Sequence, residues 1–207
     1  MKIELFVYHD FEKFRNNKLI SDLTLFCQGQ EFPVHKFILC ATSEYFYGLL
    51  CGPLSKSDNR IEITMTCPKI LSLFLDYVYG KYELEVSDWR EAIEFYKFLD
   101  YACVDFDRER NLILYTDGHY VEYLEYVSDF YEDNEIPEEF LEKSSRTITT
   151  EDDLSELDPE ILEFILKEGT FRLKRGELLK LLENCDLRAL QWLDERQSVL
   201  TEDSPFG

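Results

Sequence analysis

Between residues 21 and 50 the hydrophobic period changes once, and that change restricts the fold more than any other feature of the chain. Residues 22–27 alternate, with Leu23, Leu25 and Cys27 on one face and Asp22, Thr24 and Phe26 on the other, which is the period of a strand. Gln28-Gly29-Gln30 supplies a glycine for a tight reversal, and residues 31–34 make a second short strand. Pro33 has no amide to donate, so that strand belongs at a sheet edge. From His35 the spacing becomes helical. Phe37, Ile38, Ala41, Tyr45, Phe46, Leu49 and Leu50 recur at three- and four-residue steps, as in one or two short buried helices, with Ser43 placed to cap the second. A hairpin running straight into a helical pair seeds an α+β domain rather than a parallel α/β fold.

The same residues carry a resemblance. Asp22-Leu23-Thr24-Leu25, Phe32-Pro33-Val34-His35-Lys36 and Leu39-Cys40-Ala41-Thr42-Ser43-Glu44-Tyr45-Phe46 are similar to the core signature of the BTB/POZ domain, a protein-interaction module without catalytic activity. The signature positions are Asp22, His35, Lys36, Ser43, Tyr45 and Phe46, and the resemblance implies that His35 pairs with Asp22 inside the fold. Residues 1–7 read as a strand (Ile3, Leu5 and Val7 on one face) and residues 8–17 as a helix carrying Phe11 and Phe14. Together they resemble the longer form of the domain, which dimerises through its first helix. Leu5, Val7, Phe11 and Phe14 are therefore the expected dimer interface, with the first strand expected on the sheet edge of a twin subunit.

Residues 60–64 read as a third strand with Ile61 and Ile63 buried, and Pro68 opens a helix ended by Gly80. A strand follows over residues 82–86, then an amphipathic helix over 89–101. The BTB/POZ-like domain is expected over residues 1–106. Residues 107–150 are expected to be an acidic linker or insertion. Over residues 151–200, Asp158 caps a helix, Pro159 takes its first position and Gly169 stops it, and a leucine-spaced helix follows. This all-α region resembles the start of the BACK helical region that often follows a BTB domain, and residues 201–207 form a tail. The expected fold class is thus α+β, a small sheet-and-helix domain followed by an all-α region.

Charge excludes one class of partner. The 207 residues hold 22 basic and 43 acidic side chains, net −21, with no basic stripe to displace counterions from phosphates, so nucleic acid is not expected. Residues 1–100 hold 11 basic and 15 acidic side chains, and residues 101–207 hold 11 and 28. The acid surplus belongs to the second half, as a solvated surface or as steering towards a basic partner. No apolar run reaches the ~18 residues of a membrane helix, and no membrane partner is expected. Cys27, Cys40, Cys51, Cys67, Cys103 and Cys185 form no Cys-x-x-Cys pair. Without a signal peptide they read as reduced thiols in a cytoplasmic or nuclear protein.

No catalytic, cofactor or metal site is expected. The histidines, His9, His35 and His119, lack the spacing of a zinc site. Asp152-Asp153 and Glu138-Glu139 read as solvated pairs. Nothing matches a phosphate loop or a nucleophile elbow.

What the resemblance implies for function is a non-catalytic, dimerising adaptor that recruits a substrate protein to a cullin-RING ubiquitin ligase. The cullin surface of such adaptors maps here onto residues 67–79 and 89–101, with Leu73, Tyr79, Tyr82 and Tyr96 as expected exposed anchors. One departure weakens that implication: no Glu occurs between Thr64 and Leu75, where cullin binders often show a hydrophobic-x-Glu pattern. The alternative is a truncated BTB protein that forms mixed dimers and competes with larger BTB proteins or transcriptional regulators. A third option is a helical scaffold that merely carries a BTB-like unit.

Overall fold

The computed structural model describes residues 2–4, 11–53, 58–81, 83–185 and 188–192. The chain divides into two compact units, residues 1–111 and 112–207.

Unit one is built on the hairpin. Strands β2 (Leu23–Cys27) and β3 (Gln30–Val34) pair antiparallel, with Leu25 opposite Phe32. Their two-residue turn has Gln28 at φ 44° and Gly29 at φ 88°, the left-handed pair that matches the twist of the flanking strands. Leu23, Leu25 and Cys27 are buried, as the alternation predicts. Strand β4 (Arg60–Glu62) lies parallel to β2, giving the order β3-β2-β4 and leaving Pro33 on an edge. This third strand is shorter than expected, and Ile61 is only half-buried whereas Ile63 is fully covered.

Helices α1 (Lys36–Thr42) and α2 (Glu44–Cys51) follow the hairpin. Ser43 stands between them in an extended conformation and accepts from the Phe46 amide at 3.1 Å, capping α2 as expected. That one extended residue resets the helical phase. Within α1 Ile38 and Leu39 are buried while Phe37 and Ala41 are exposed, and within α2 Phe46 is buried while Leu49 is exposed, so the expected stripe is only partly inward.

Helix α3 (Pro68–Val78) starts on its proline and is ended at Gly80, φ 102°. Strand β5 (Glu83–Glu85) then leads to α4 (Trp89–Tyr101), capped by Asp88, which accepts from the Glu91 amide at 3.0 Å. Aromatic side chains knit α2, α3 and α4 together: Phe46 lies 5.8 Å from Phe74, and Phe74 meets Phe98 edge-on at 5.1 Å. A short helix α5 (Arg108–Asn111) closes the unit.

Strand β1 (Lys2–Glu4) pairs antiparallel with β5, Ile3 opposite Leu84. This corrects the expectation of a twin's sheet edge, because β5 of the same chain supplies the amides and carbonyls that the strand needs. In place of the long N-terminal helix, the described residues show a 3₁₀ turn at Glu12–Phe14.

Unit two is helical: α6 (Tyr120–Ser128), α7 (Glu138–Ser144), α8 (Pro159–Glu168) and α9 (Arg175–Leu181), with a further helical stretch at 188–192. Asp158 caps α8 by accepting from the Glu160 amide at 2.8 Å, and Pro159 takes the first position. The expected linker at residues 107–150 is instead a large part of this core. Leu112, Leu114, Tyr120, Tyr123, Leu124, Val127, Phe130, Phe140, Leu141 and Ile148 are all buried. The apolar run at 112–115 and the helical spacing over 120–131 are legible in the sequence, and it is the acidic stretch after them that reads as a connection. Asp152 is also not a solvated carboxylate. It is 5% exposed and accepts from the Tyr120 amide at 2.6 Å, the Thr149 amide at 2.7 Å and the Thr149 hydroxyl at 3.0 Å. It thereby closes the start of α6 onto the loop before α8.

Candidate protein-interaction surface

The signature residues assemble into supports for the hairpin–helix junction. Asp22 Oδ1 accepts from the Lys36 amide at 2.8 Å, so it serves the open first turn of α1 rather than His35. The His35 partner is Tyr79. The Tyr79 hydroxyl accepts from the His35 amide at 2.9 Å and lies 2.7 Å from His35 Nδ1. One tyrosine oxygen thus serves both the backbone and the ring of His35. Lys36 Nζ reaches Asn59 Oδ1 at 2.7 Å, joining α1 to the approach of β4. Ser43 is 2% exposed and donates to the Ala102 carbonyl at 2.5 Å, tying the α1–α2 elbow to the end of α4. Tyr45 packs on Tyr101 at 5.1 Å, and burial followed by its hydrogen bond to Tyr101 pushes its hydroxyl up to about 12.

Three of the four expected cullin anchors do not lie on the surface. Leu73 is 9% exposed, Tyr79 0% and Tyr96 1%; Tyr82 lies outside the described residues. Tyr96 stacks on Phe106 at 5.5 Å, and burial, then the neighbouring Tyr77, drive its hydroxyl pKa upward. Helix α4 buries seven of its thirteen residues, and of its aromatic side chains Trp89, Phe95, Tyr96 and Phe98 build the core while Tyr101 is exposed. Tyr79 can be buried because His35 satisfies its oxygen.

Of the expected dimer interface, Leu5 and Val7 lie outside the described residues. Phe11 and Phe14 are half-buried. The Phe11 amide donates to the Tyr79 carbonyl at 2.8 Å, and Phe14 meets His35 edge-on at 6.3 Å. Arg15 then bonds Asp76 at 3.0 Å and lies over the Tyr79 ring. The N-terminal turn is thus clamped to the end of α3.

Sequence reasoning missed the apolar residues that do face water. Leu19 is 95% exposed, Phe37 72% and Ile20 51%. The Asp22–Lys36 bond brings the segment carrying Leu19 and Ile20 to the start of the helix carrying Phe37. An apolar pair placed just before a strand, and off its alternation, was the available signal.

Unit two presents a different surface. Helices α7 and α8 border a groove of about 980 Å³ lined by six glutamates, with Lys143, Lys167 and Phe164. Lys143 pairs with Glu139 at 2.6 Å and Lys167 with Glu163 at 2.6 Å, so both lysines are engaged and the groove stays acidic. Among the described residues no group of three or more His, Cys, Asp or Glu side chains is placed to hold a metal. No described helix is long and apolar enough to cross a membrane.

A small sheet clasped by short helices, with apolar side chains left facing water, has the form of a protein-interaction module. Comparison with known proteins specifies which. Residues 11–104 match the BTB/POZ domain family and are a BTB/POZ domain. Kelch-like protein 24 of Homo sapiens is 31% identical over 86 residues, covering 41% of this chain and 14% of that protein. Zinc finger and BTB domain-containing protein 7A of Gallus gallus is 38% identical over 92 residues, covering 44% and 17%. The matched segments are therefore about a seventh of these relatives' length. The BTB domain of zebrafish PATZ1 aligns at 24% identity and TM-score 0.38, covering 45% of this chain and 75% of that one; nothing below rests on that likeness.

Proposed function

We propose that this protein is a dimerising adaptor: a second copy covers the apolar face of its BTB/POZ domain, and a cullin scaffold and a substrate protein are its further partners. The single observation that carries the proposal is the outward placement of Leu19, Ile20 and Phe37 on the BTB/POZ domain. Covering one such side chain contributes roughly 1.5–3 kcal/mol, so three of them together favour association. A two-fold contact repeats every gain on both subunits.

The acidic groove between α7 and α8 suits a basic segment of the substrate by charge complementarity. A cullin contact is carried over from the BTB resemblance alone. It cannot use Leu73, Tyr79 or Tyr96 as exposed anchors, since all three are core. Six free thiols agree with a cytoplasmic or nuclear setting.

The test is light scattering at tens of micromolar, about tenfold above a micromolar affinity, combined with cullin pull-down. The expected result is a wild-type dimer, a monomeric but folded Phe37→Glu variant, and cullin retained by the wild type. A monomeric wild type removes the dimer. A dimer that ignores every cullin, yet forms mixed dimers when co-expressed with larger BTB proteins, favours the competitor alternative instead.

A further inference from the structure

The six cysteines are not equally placed. Cys27 is fully buried and its thiol donates to the Thr66 carbonyl, as a small core hydrophobe would. Cys40 and Cys51 are different. They are eleven residues apart, on α1 and α2, and their sulfurs lie 3.7 Å from each other. Cys51 is exposed and Cys40 half-covered. Two thiols in contact across a helix–helix elbow, one of them open to water, form a reactive pair that the adaptor role neither needs nor explains.

We propose that Cys40 and Cys51 are a peroxide-sensitive dithiol that closes to an intramolecular disulfide across the α1–α2 elbow. The geometry assigns the roles. Cys51 meets a hydroperoxide first because it is exposed, and its thiolate sulfur attacks the peroxide oxygen. The O–O bond breaks, sulfenic acid forms on Cys51, and the leaving hydroxide takes up a proton as water. Cys40 then attacks the Cys51 sulfur. The S–S bond forms, the S–O bond breaks, and the departing hydroxide leaves as a second water with the Cys40 proton. Two thiols and one hydrogen peroxide thus give one disulfide and two waters.

Closure asks for little movement. The sulfurs must approach by about 1.7 Å to reach bonding distance. Cys51 is the last residue of α2, followed by Gly52, and a helix end yields at low cost. Burial, then the contact with Cys51, pushes the Cys40 thiol up to about 11. Cys40 is therefore a poor first target, and its 3.7 Å contact with Cys51 is what places it to resolve the oxidised sulfur. Once formed, the bond fixes the angle between two helices that expose Phe37 and Tyr47 respectively.

The experiment treats the full chain with hydrogen peroxide, alkylates the remaining thiols and maps the products by mass spectrometry. The expected result is loss of two of the six thiols per chain in a Cys40–Cys51 linked peptide, restored by dithiothreitol. The Cys51→Ser variant forms no such link, and Cys40→Ser stalls with over-oxidised Cys51. Phenylarsine oxide, which bridges adjacent thiols, binds reduced wild type one to one and neither variant. Over-oxidised Cys51 beside free Cys40 in the wild type, or disulfides formed only between chains, overturns the proposal. So does unchanged arsenical binding in either variant. Should a variant fail to fold, the wild-type peptide map decides alone.

Discussion

Tyr79→Phe removes one oxygen from the core and leaves its packing otherwise unchanged, which makes it a sharp test of the hairpin–helix junction. That oxygen accepts from the His35 amide at 2.9 Å and lies 2.7 Å from His35 Nδ1. Phenylalanine supplies neither partner, so a part-buried backbone donor and a ring nitrogen lose their contact together. An unsatisfied buried group costs about 1–3 kcal/mol, and the two are coupled through one atom, so a loss of about 2–4 kcal/mol is expected. With a urea slope of about 1.5 kcal/mol per molar for a unit of this size, the midpoint of unit one falls by about 1–3 M. The assay is urea unfolding followed by hydrogen exchange at the His35 amide, which should lose protection while unit two keeps its own. A midpoint shift below about 0.3 M, well inside the extrapolation error, would refute the reasoning. Tyr79→Ala adds a cavity of about 3–5 kcal/mol. A partner lost in that variant would therefore report on folding, not on a contact.

Asp152→Ala leaves the Tyr120 and Thr149 amides without their acceptor and should destabilise unit two by about 2–4 kcal/mol; exchange at those two amides measures it, and a change under about 1 kcal/mol sinks the assignment. Gly169→Ala places a Cβ 2.4 Å from the Ile165 carbonyl and 2.7 Å from Ser145 Oγ, so thermal unfolding should reveal a loss of about 1–3 kcal/mol from overpacking; unchanged stability would mean that the α8 terminus has room to move. Glu91 carries the acid dependence. Burial opposes its charge, but Lys69 and Ser87 outweigh it and hold the carboxyl below its ordinary value of 4.5. A lowered folded pKa gives stability that is present above the unfolded value and lost as pH falls through the folded one. Below about pH 4.5 the wild type should thus lose stability that Glu91→Gln never had, and parallel acid limbs for the two proteins would contradict this.

The hairpin was readable because its signals are local. Period-2 alternation, a glycine reversal and a proline that demands an edge all lie within residues 22–34, and each found its predicted place. Helix ends were readable for the same reason: Ser43, Pro68, Asp158 and Pro159 act within one turn of their own position. The apolar run at 112–115 and the helical spacing over 120–131 were legible too; that they join one core with Phe140, Leu141 and Ile148 was not, because the acidic stretch between them read as a connection. The exposure of Phe37 was missed within α1 itself, where Ile38 and Leu39 face the core instead.

By itself, then, the chain determined the strand–turn–strand–helix order of the first unit, the BTB/POZ character of residues 11–104 and the acidity of the second half. The element order follows from backbone sterics and side-chain periodicity, which act between near neighbours; the BTB/POZ character was legible through the resemblance of its signature residues, and the acidity through composition. Only the tertiary structure decided that Tyr79 serves His35 from 44 residues away, that Asp152 serves Tyr120 from 32, and which apolar side chains are left facing water. A buried polar atom takes whichever partner the folded packing brings within 3 Å, and sequence separation carries no trace of that distance.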